Sequence, residues 1–96
     1  MSKIGSDNGV GLRDAVGAVI EKTLVSLGQS NHDMIVKTLK KHNCSFADCF
    51  ERPEILNFAF KQLYSKDYLI PVNKIKHELR DFNPRKIARF LDGLSQ

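Results

Sequence analysis

Residues 68–94 read YLIPVNKIKHELRDFNPRKIARFLDGL, and their spacing decides the fold class. Tyr68, Val72, Ile75, Leu79 and Phe82 are separated by four, three, four and three positions, which lines them up along one side of a helix. Pro71 looks like a breaker of this seam. A helix beginning at Asp67 or Tyr68, however, puts the proline in its first turn, where the missing N–H has no intrahelical partner to lose. Asn83-Pro84 repeats the cap-then-proline device and starts a further helix carrying Ile87, Phe90, Leu91 and Leu94.

The same period extends toward the N-terminus. Ser65-Lys66-Asp67 interrupts it, and before the interruption Leu56, Ala59, Phe60 and Leu63 follow the i, i+3, i+4, i+7 rule. That helix begins at Glu51-Arg52-Pro53-Glu54, with proline suited to the first helical position and Glu54 to the positive end of the dipole. Ile35, Val36 and Leu39 give a narrower apolar face running up to Asn43, with Ser30 or Asn31 as the expected cap and Asp33 in the first turn. Leu12, Val16, Val19, Ile20, Leu24 and Leu27 define a first helix over about residues 10–27, and Gly28 is suited to the left-handed position after it. No segment alternates with period two over a useful length. The expected fold is all-α, a compact bundle of about five short amphipathic helices. Residues 1–9 read as a disordered tail and residues 10–96 as a single helical domain.

Between the second and third helices, residues 44–50 are too short and irregular for an element of their own. They nevertheless hold Cys44, Phe46, Cys49 and Phe50, which prefer burial. A connector tucked against the core is expected, with Cys44, Cys49, Pro53 and Glu54 as the most distinctive positions in the chain.

Composition narrows the function classes. The chain has 96 residues, 42% hydrophobic and 27% charged, with six Gly, three Pro and no Trp, the profile of one ordinary globular domain. No apolar run approaches the roughly 18 residues that span a bilayer, and the first nine residues carry no secretory segment, so a cytoplasmic location without membrane contact is expected. Two cysteines are too few for a disulfide scaffold, and both are expected to be reduced. The net charge is +4. Residues 1–30 balance Lys3, Arg13 and Lys22 against Asp7, Asp14 and Glu21, so the whole excess lies downstream.

Cys44 and Cys49 with the nearby His42 fall within zinc-ligand spacing, but a closed site needs four ligands. His32 and His77, on other helices, would have to complete it. Two small thiols filling gaps in a buried connector is the plainer reading, and no metal or other cofactor is expected. Catalysis has little to build on. No nucleophile elbow or phosphate-cradling glycine loop occurs, and Asp48, Glu51 and Glu54 serve first as caps and dipole partners. The domain is therefore expected not to be an enzyme.

Lys74, Lys76, Arg80, Arg85, Lys86 and Arg89 are the candidate nucleic-acid contacts. Acids interrupt them, with Glu78 four residues after Lys74 and Asp92 three after Arg89, which favours a locally neutralised, solvated face. Lys37, Lys40, Lys41 and His42 complement the second helix's dipole. Phe58 falls off the apolar face of its own helix and is the candidate partner contact.

Residues 23–28 (Thr23-Leu24-Val25-Ser26-Leu27-Gly28) belong to a set of stretches that carry a resemblance. The others are Asn43-Cys44 through Asp48-Cys49-Phe50-Glu51-Arg52-Pro53-Glu54-Ile55-Leu56-Asn57, Ile75-Lys76-His77-Glu78-Leu79 and Ile87-Ala88-Arg89-Phe90-Leu91. Over residues 12–94 the chain resembles a small helical domain of ammonia-oxidising archaea, grouped among the Nitrosopumilus output domains. The Cys-x4-Cys-aromatic-Glu-x-Pro-Glu stretch is its most distinctive part, and members often carry His where Arg52 stands. The resemblance implies an archaeal cytoplasmic module in signalling or regulation, with no catalytic residues to transfer. The leading expectation is thus a helical module that binds a protein partner or a second copy of itself. The alternative is a nucleic-acid-binding regulator using the C-terminal basic residues.

Overall fold

The computed structural model describes residues 9–96, with side chains from residue 11 onward. Five α-helices follow one another: α1 (Gly9–Leu27), α2 (Gln29–Lys41), α3 (Pro53–Tyr64), α4 (Leu69–Glu78) and α5 (Pro84–Leu94). Single 3-10 turns occupy Asp48–Phe50 and Ser65–Asp67, and no strand occurs among the described residues. The all-α bundle expected from the apolar period is the fold observed. The tail expected over residues 1–9 lies outside the described residues except for Gly9, which already belongs to α1.

The two proline starts behave as their chemistry requires. Pro53 and Pro84 each open a helix, and Asn83 caps α5 by accepting the Arg85 amide on its side-chain oxygen at 3.0 Å. Pro71 is the third residue of α4 and is buried there without breaking it.

Several boundaries depart from the sequence reading, among them the start of α4, which falls at Leu69 rather than Asp67 or Tyr68 because a 3-10 turn takes up Ser65–Asp67. α1 and α2 are joined by Gly28 alone, at φ 140° and ψ 129°, a conformation open to glycine rather than the expected left-handed helical one. With a one-residue joint, α2 starts at Gln29 before Ser30 or Asn31 can cap it, and Asp33 falls beyond its first turn. α2 also stops at Lys41 rather than Asn43. Asn43 takes φ 54°, its amide bonds to the Lys40 carbonyl at 3.0 Å, and the Cys44 amide reaches back to Leu39 at 2.9 Å. These are the paired bonds of a Schellman end, with Asn in the left-handed position it tolerates. α4 ends at Glu78 and the chain continues in turns, with the Arg80 amide donating to His77 at 3.3 Å and the Phe82 amide to Leu79 at 2.9 Å, before Asn83 extends to ψ 115° ahead of Pro84. The seam outlasts the helix: Leu79 is fully buried and Phe82 packs against the core from the turn beyond.

The packing partners run α4 on α1, α1 on α2, α2 on α3 and α3 on α5. Val16, Ile20 and Leu24 of α1, Leu56 and Phe60 of α3, Val72 and Ile75 of α4, and Phe90 and Leu94 of α5 lose nearly all exposure in one core. Each such side chain contributes about 1.5–3 kcal/mol through burial. The 3-10 turn of the connector touches α1, α3 and α5 together. Its approach to α1 is at backbone distance, for a Cβ on Gly17 would lie 2.8 Å from the Ala47 nitrogen. At the opposite edge Gly93 of α5 lies against the Pro53 ring. Among the described residues, no helix is long and apolar enough to cross a membrane.

Candidate functional site

The connector is the natural place to begin, and it is built as a scaffold. Ser45 and Asp48 bond reciprocally: the Asp48 amide donates to the Ser45 hydroxyl at 3.2 Å, and the Ser45 amide donates to the Asp48 carboxylate at 3.1 Å. This is a capping box that winds the chain into the 3-10 turn. Arg13 of α1 donates to the same carboxylate and lies 3.6 Å from Glu51, which ties the turn to the first helix. The two bonds from Ser45, with Arg13 beside them, hold the Asp48 carboxyl below its usual range. Cys44 and Cys49 are buried with their sulfurs 3.8 Å apart, and burial pushes both thiols above the ordinary range. A protonated thiol is a weak nucleophile and a weak metal ligand. Pro53 is buried against Gly93, while Glu54 is exposed in the first turn of α3. Cys44, Cys49 and Pro53 thus have packing roles.

The three histidines are dispersed. His32 lies between Glu21 of α1 at 3.2 Å and Asp33 at 3.1 Å, stacked on Phe46 of the connector at 5.7 Å. The Asp33 bond, with help from Glu21 and against partial burial, holds His32 above the usual imidazole range. His42 meets Phe58 edge-on at 5.6 Å, and the His77 ring accepts from Arg80 at 2.8 Å. Among the described residues, no three His, Cys, Asp or Glu side chains converge in a way that could hold a metal ion.

The six basic candidates do not form one stripe. Two of the three on the α4 side, Lys74 and Lys76, are about 200° apart around their helix, and Lys76 is half-buried. Arg80 folds back to donate to its own turn, 3.1 Å from the His77 carbonyl. On α5, Arg85, Lys86 and Arg89 are exposed within the first two turns, and Lys86 and Arg89 line a cavity of about 160 Å³ with Phe50, Glu51 and Phe90. The expected Lys74–Glu78 and Arg89–Asp92 pairs are not closed. Ion pairs among the described residues instead involve Arg13 with Asp48 and Glu51, and His32 with Glu21 and Asp33. Exposed long side chains gain too little from pairing to hold one geometry.

Two further openings, of about 290 and 340 Å³, flank Ser45 and Phe46 of the connector, and another lies between α2 and α3. Met34, Ile35 and Thr38 face Ala59, Gln62 and Leu63 across a cavity of about 280 Å³. Met34 is 54% exposed on its edge, and Phe58 is 45% exposed one helical turn from Gln62. The Thr38 hydroxyl is already committed to the Met34 carbonyl at 3.2 Å, which leaves the Gln62 amide as the polar side chain of the lining that is not. Phe58 was legible in sequence because it breaks the period of its helix. Met34 breaks its own helix's narrower period in the same way, but the two become one feature only through the packing of α2 on α3.

No protein-family model matches the chain, and no curated protein or solved structure is significantly similar to it.

Proposed function

We propose that this domain is a non-catalytic helical interaction module that docks a protein partner on its α2–α3 face. The observation that carries this reading is the exposure of two large apolar side chains on this face, Met34 in the lining of the α2–α3 opening and Phe58 one helical turn from Gln62 of that lining. Large apolar groups rimming a concave surface are what helix-in-groove recognition uses, and a half-exposed aromatic suits a binding hot spot. The groove lining contains no acid, imidazole or thiol, which fits binding better than chemistry. A role in archaeal cytoplasmic signalling or regulation belongs to the same proposal and rests on the output-domain resemblance. Replacing Phe58 by a photo-crosslinking benzoylphenylalanine tests the face in the native host. A discrete protein adduct from position 58, absent when the same group is placed at Arg85, is the expected result.

A second reading is supported by the exposed Arg85, Lys86 and Arg89 at the start of α5, where cations and backbone amides together suit a phosphate. Duplex DNA titrated at several salt concentrations tests it. Affinity that falls steeply with salt and is lost in Arg85→Ala/Arg89→Ala supports a nucleic-acid regulator, and no binding at low salt removes it.

A further inference from the structure

We infer that Cys44 and Cys49 are a redox pair, held poised by the Ser45–Asp48 turn, which a hydroperoxide closes into an intramolecular disulfide that latches the connector to the end of α2. The backbone brings the two thiols together before any bond forms. The Cys44 amide is tied to the Leu39 carbonyl at 2.9 Å, and the Cys49 amide bonds to the Ser45 carbonyl at 3.2 Å, so the residues between wind through a single turn. The Ser45–Asp48 capping box and Arg13 of α1 fix that turn from outside. The sulfurs end 3.8 Å apart, in contact, and a disulfide needs about 2.0 Å, which leaves the side chains a short approach. Folding has already met the entropy of closing the loop, so each thiol has a high effective concentration at the other. Other partners are missing. The Cys44 thiol otherwise donates only to the Ser45 carbonyl at 3.4 Å, His42 is turned edge-on to Phe58, and among the described residues no third ligand joins the pair for a metal.

Access to the two sulfurs is unequal. Cys44 keeps 6% exposure and lines the opening of about 290 Å³ with Val36, Leu39 and Phe46, whereas Cys49 has no exposure and lies outside that lining. A small uncharged hydroperoxide entering there meets Cys44 first. The reaction balances in two steps. The Cys44 sulfur takes one oxygen of hydrogen peroxide, which breaks the O–O bond, leaves a sulfenic acid and releases water. The Cys49 sulfur then attacks the Cys44 sulfur and displaces the hydroxyl, which departs with the Cys49 proton as a second water while the S–S bond forms. Two thiols are oxidised and one peroxide is reduced. Burial keeps both thiols protonated, so formation is slow. The same burial opposes the reverse, because a thiol of raised pKa is a poor leaving group. The pair is therefore a durable latch rather than a fast sensor.

The test uses the full reduced chain, folded, treated with hydrogen peroxide and then denatured in an alkylating agent for mass mapping. The expected product has lost two hydrogens, carries Cys44 and Cys49 in one cross-linked peptide, and melts a few degrees higher than the dithiol. Cys49→Ala should instead leave a sulfenic acid at Cys44 that dimedone traps, while Cys44→Ala should leave Cys49 unmodified at the same dose. In a glutathione redox buffer, Ser45→Ala should shift the balance toward the dithiol by about tenfold, since the Asp48 amide loses the hydroxyl that accepts it. The wild-type measurement needs no variant to fold. A sulfinic acid at Cys44 with Cys49 still free, a linkage between two chains, or a bond that forms only in urea overturns the inference. So does an oxidised chain that melts lower than the reduced one, or a glutathione balance that Ser45→Ala leaves unmoved.

Discussion

Two residues that no helical period singles out, Gly17 and His32, decide how the connector meets the first two helices. In a free helix, Gly17→Ala would stabilise by about 0.8–1 kcal/mol. Here the added Cβ would meet the Ala47 nitrogen at 2.8 Å and its Cα at 2.9 Å, and backbone atoms cannot step aside as a side chain can. The overpacking cost of about 1–3 kcal/mol wins, so Gly17→Ala should lower the thermal midpoint by several degrees in calorimetry. His32 sets a pH dependence. The groups facing it are Glu21 from α1, Asp33 and Gln29 from α2, and the Phe46 ring from the connector. Its pKa is raised above 6.5, so its stabilisation is fully present below that value and is lost as pH rises through the folded pKa. Thermal melts should show the midpoint falling from pH 6 toward pH 8.5, by less in His32→Gln. Asp33 and Asp48 act in the opposite direction, since their lowered pKa values mean stabilisation lost only as pH falls below the ordinary carboxylate range.

At the level of elements, starts were easier to read than ends. Helix starts depend on local chemistry, proline at the first position and Asn83 before it, and both proline starts hold. Asn83→Ala removes the acceptor for the Arg85 amide and should cost about 1 kcal/mol, a fall in thermal midpoint of roughly 4–8 °C, with little change in denaturant slope. Ends and joints answer to neighbours as well. Ser30 and Asn31 have the right chemistry for a cap, but packing of α1 on α2 leaves one residue between the helices, and Gly28 is the residue able to turn there. The irregular connector concealed a capping box, Ser45 to Asp48, whose spacing was visible in the chain; its anchoring by Arg13 across 35 positions was not.

Over the whole molecule, Phe58 and Phe60 show how one helix can serve both core and surface. Phe60 has no exposure and joins the common core, whereas Phe58 is 45% exposed and touches His42. Phe60→Ala should cost about 3–5 kcal/mol, a large share of the 5–15 kcal/mol that holds a domain together. Phe58→Ala should stay within about 1 kcal/mol, and urea midpoints of the two variants measured side by side check the contrast. The buried thiols make a further measurable contrast. Cys49 has no exposure and a raised pKa, so alkylation of the folded protein at neutral pH should be far slower there than after unfolding in urea.

By itself the sequence determined the all-α class, the proline-marked starts, the inward faces of the helices and the outward position of Phe58. All of these follow from a period and from steric rules that operate within a few residues. Only the tertiary structure decided that Met34 of α2 faces Gln62 and Leu63 of α3 across one opening, that Arg13 ties the connector to α1, and that the two cysteine sulfurs meet in the core. Those outcomes depend on which helices become neighbours, and that is set by the summed burial of five apolar faces in one core rather than by any stretch of chain read alone.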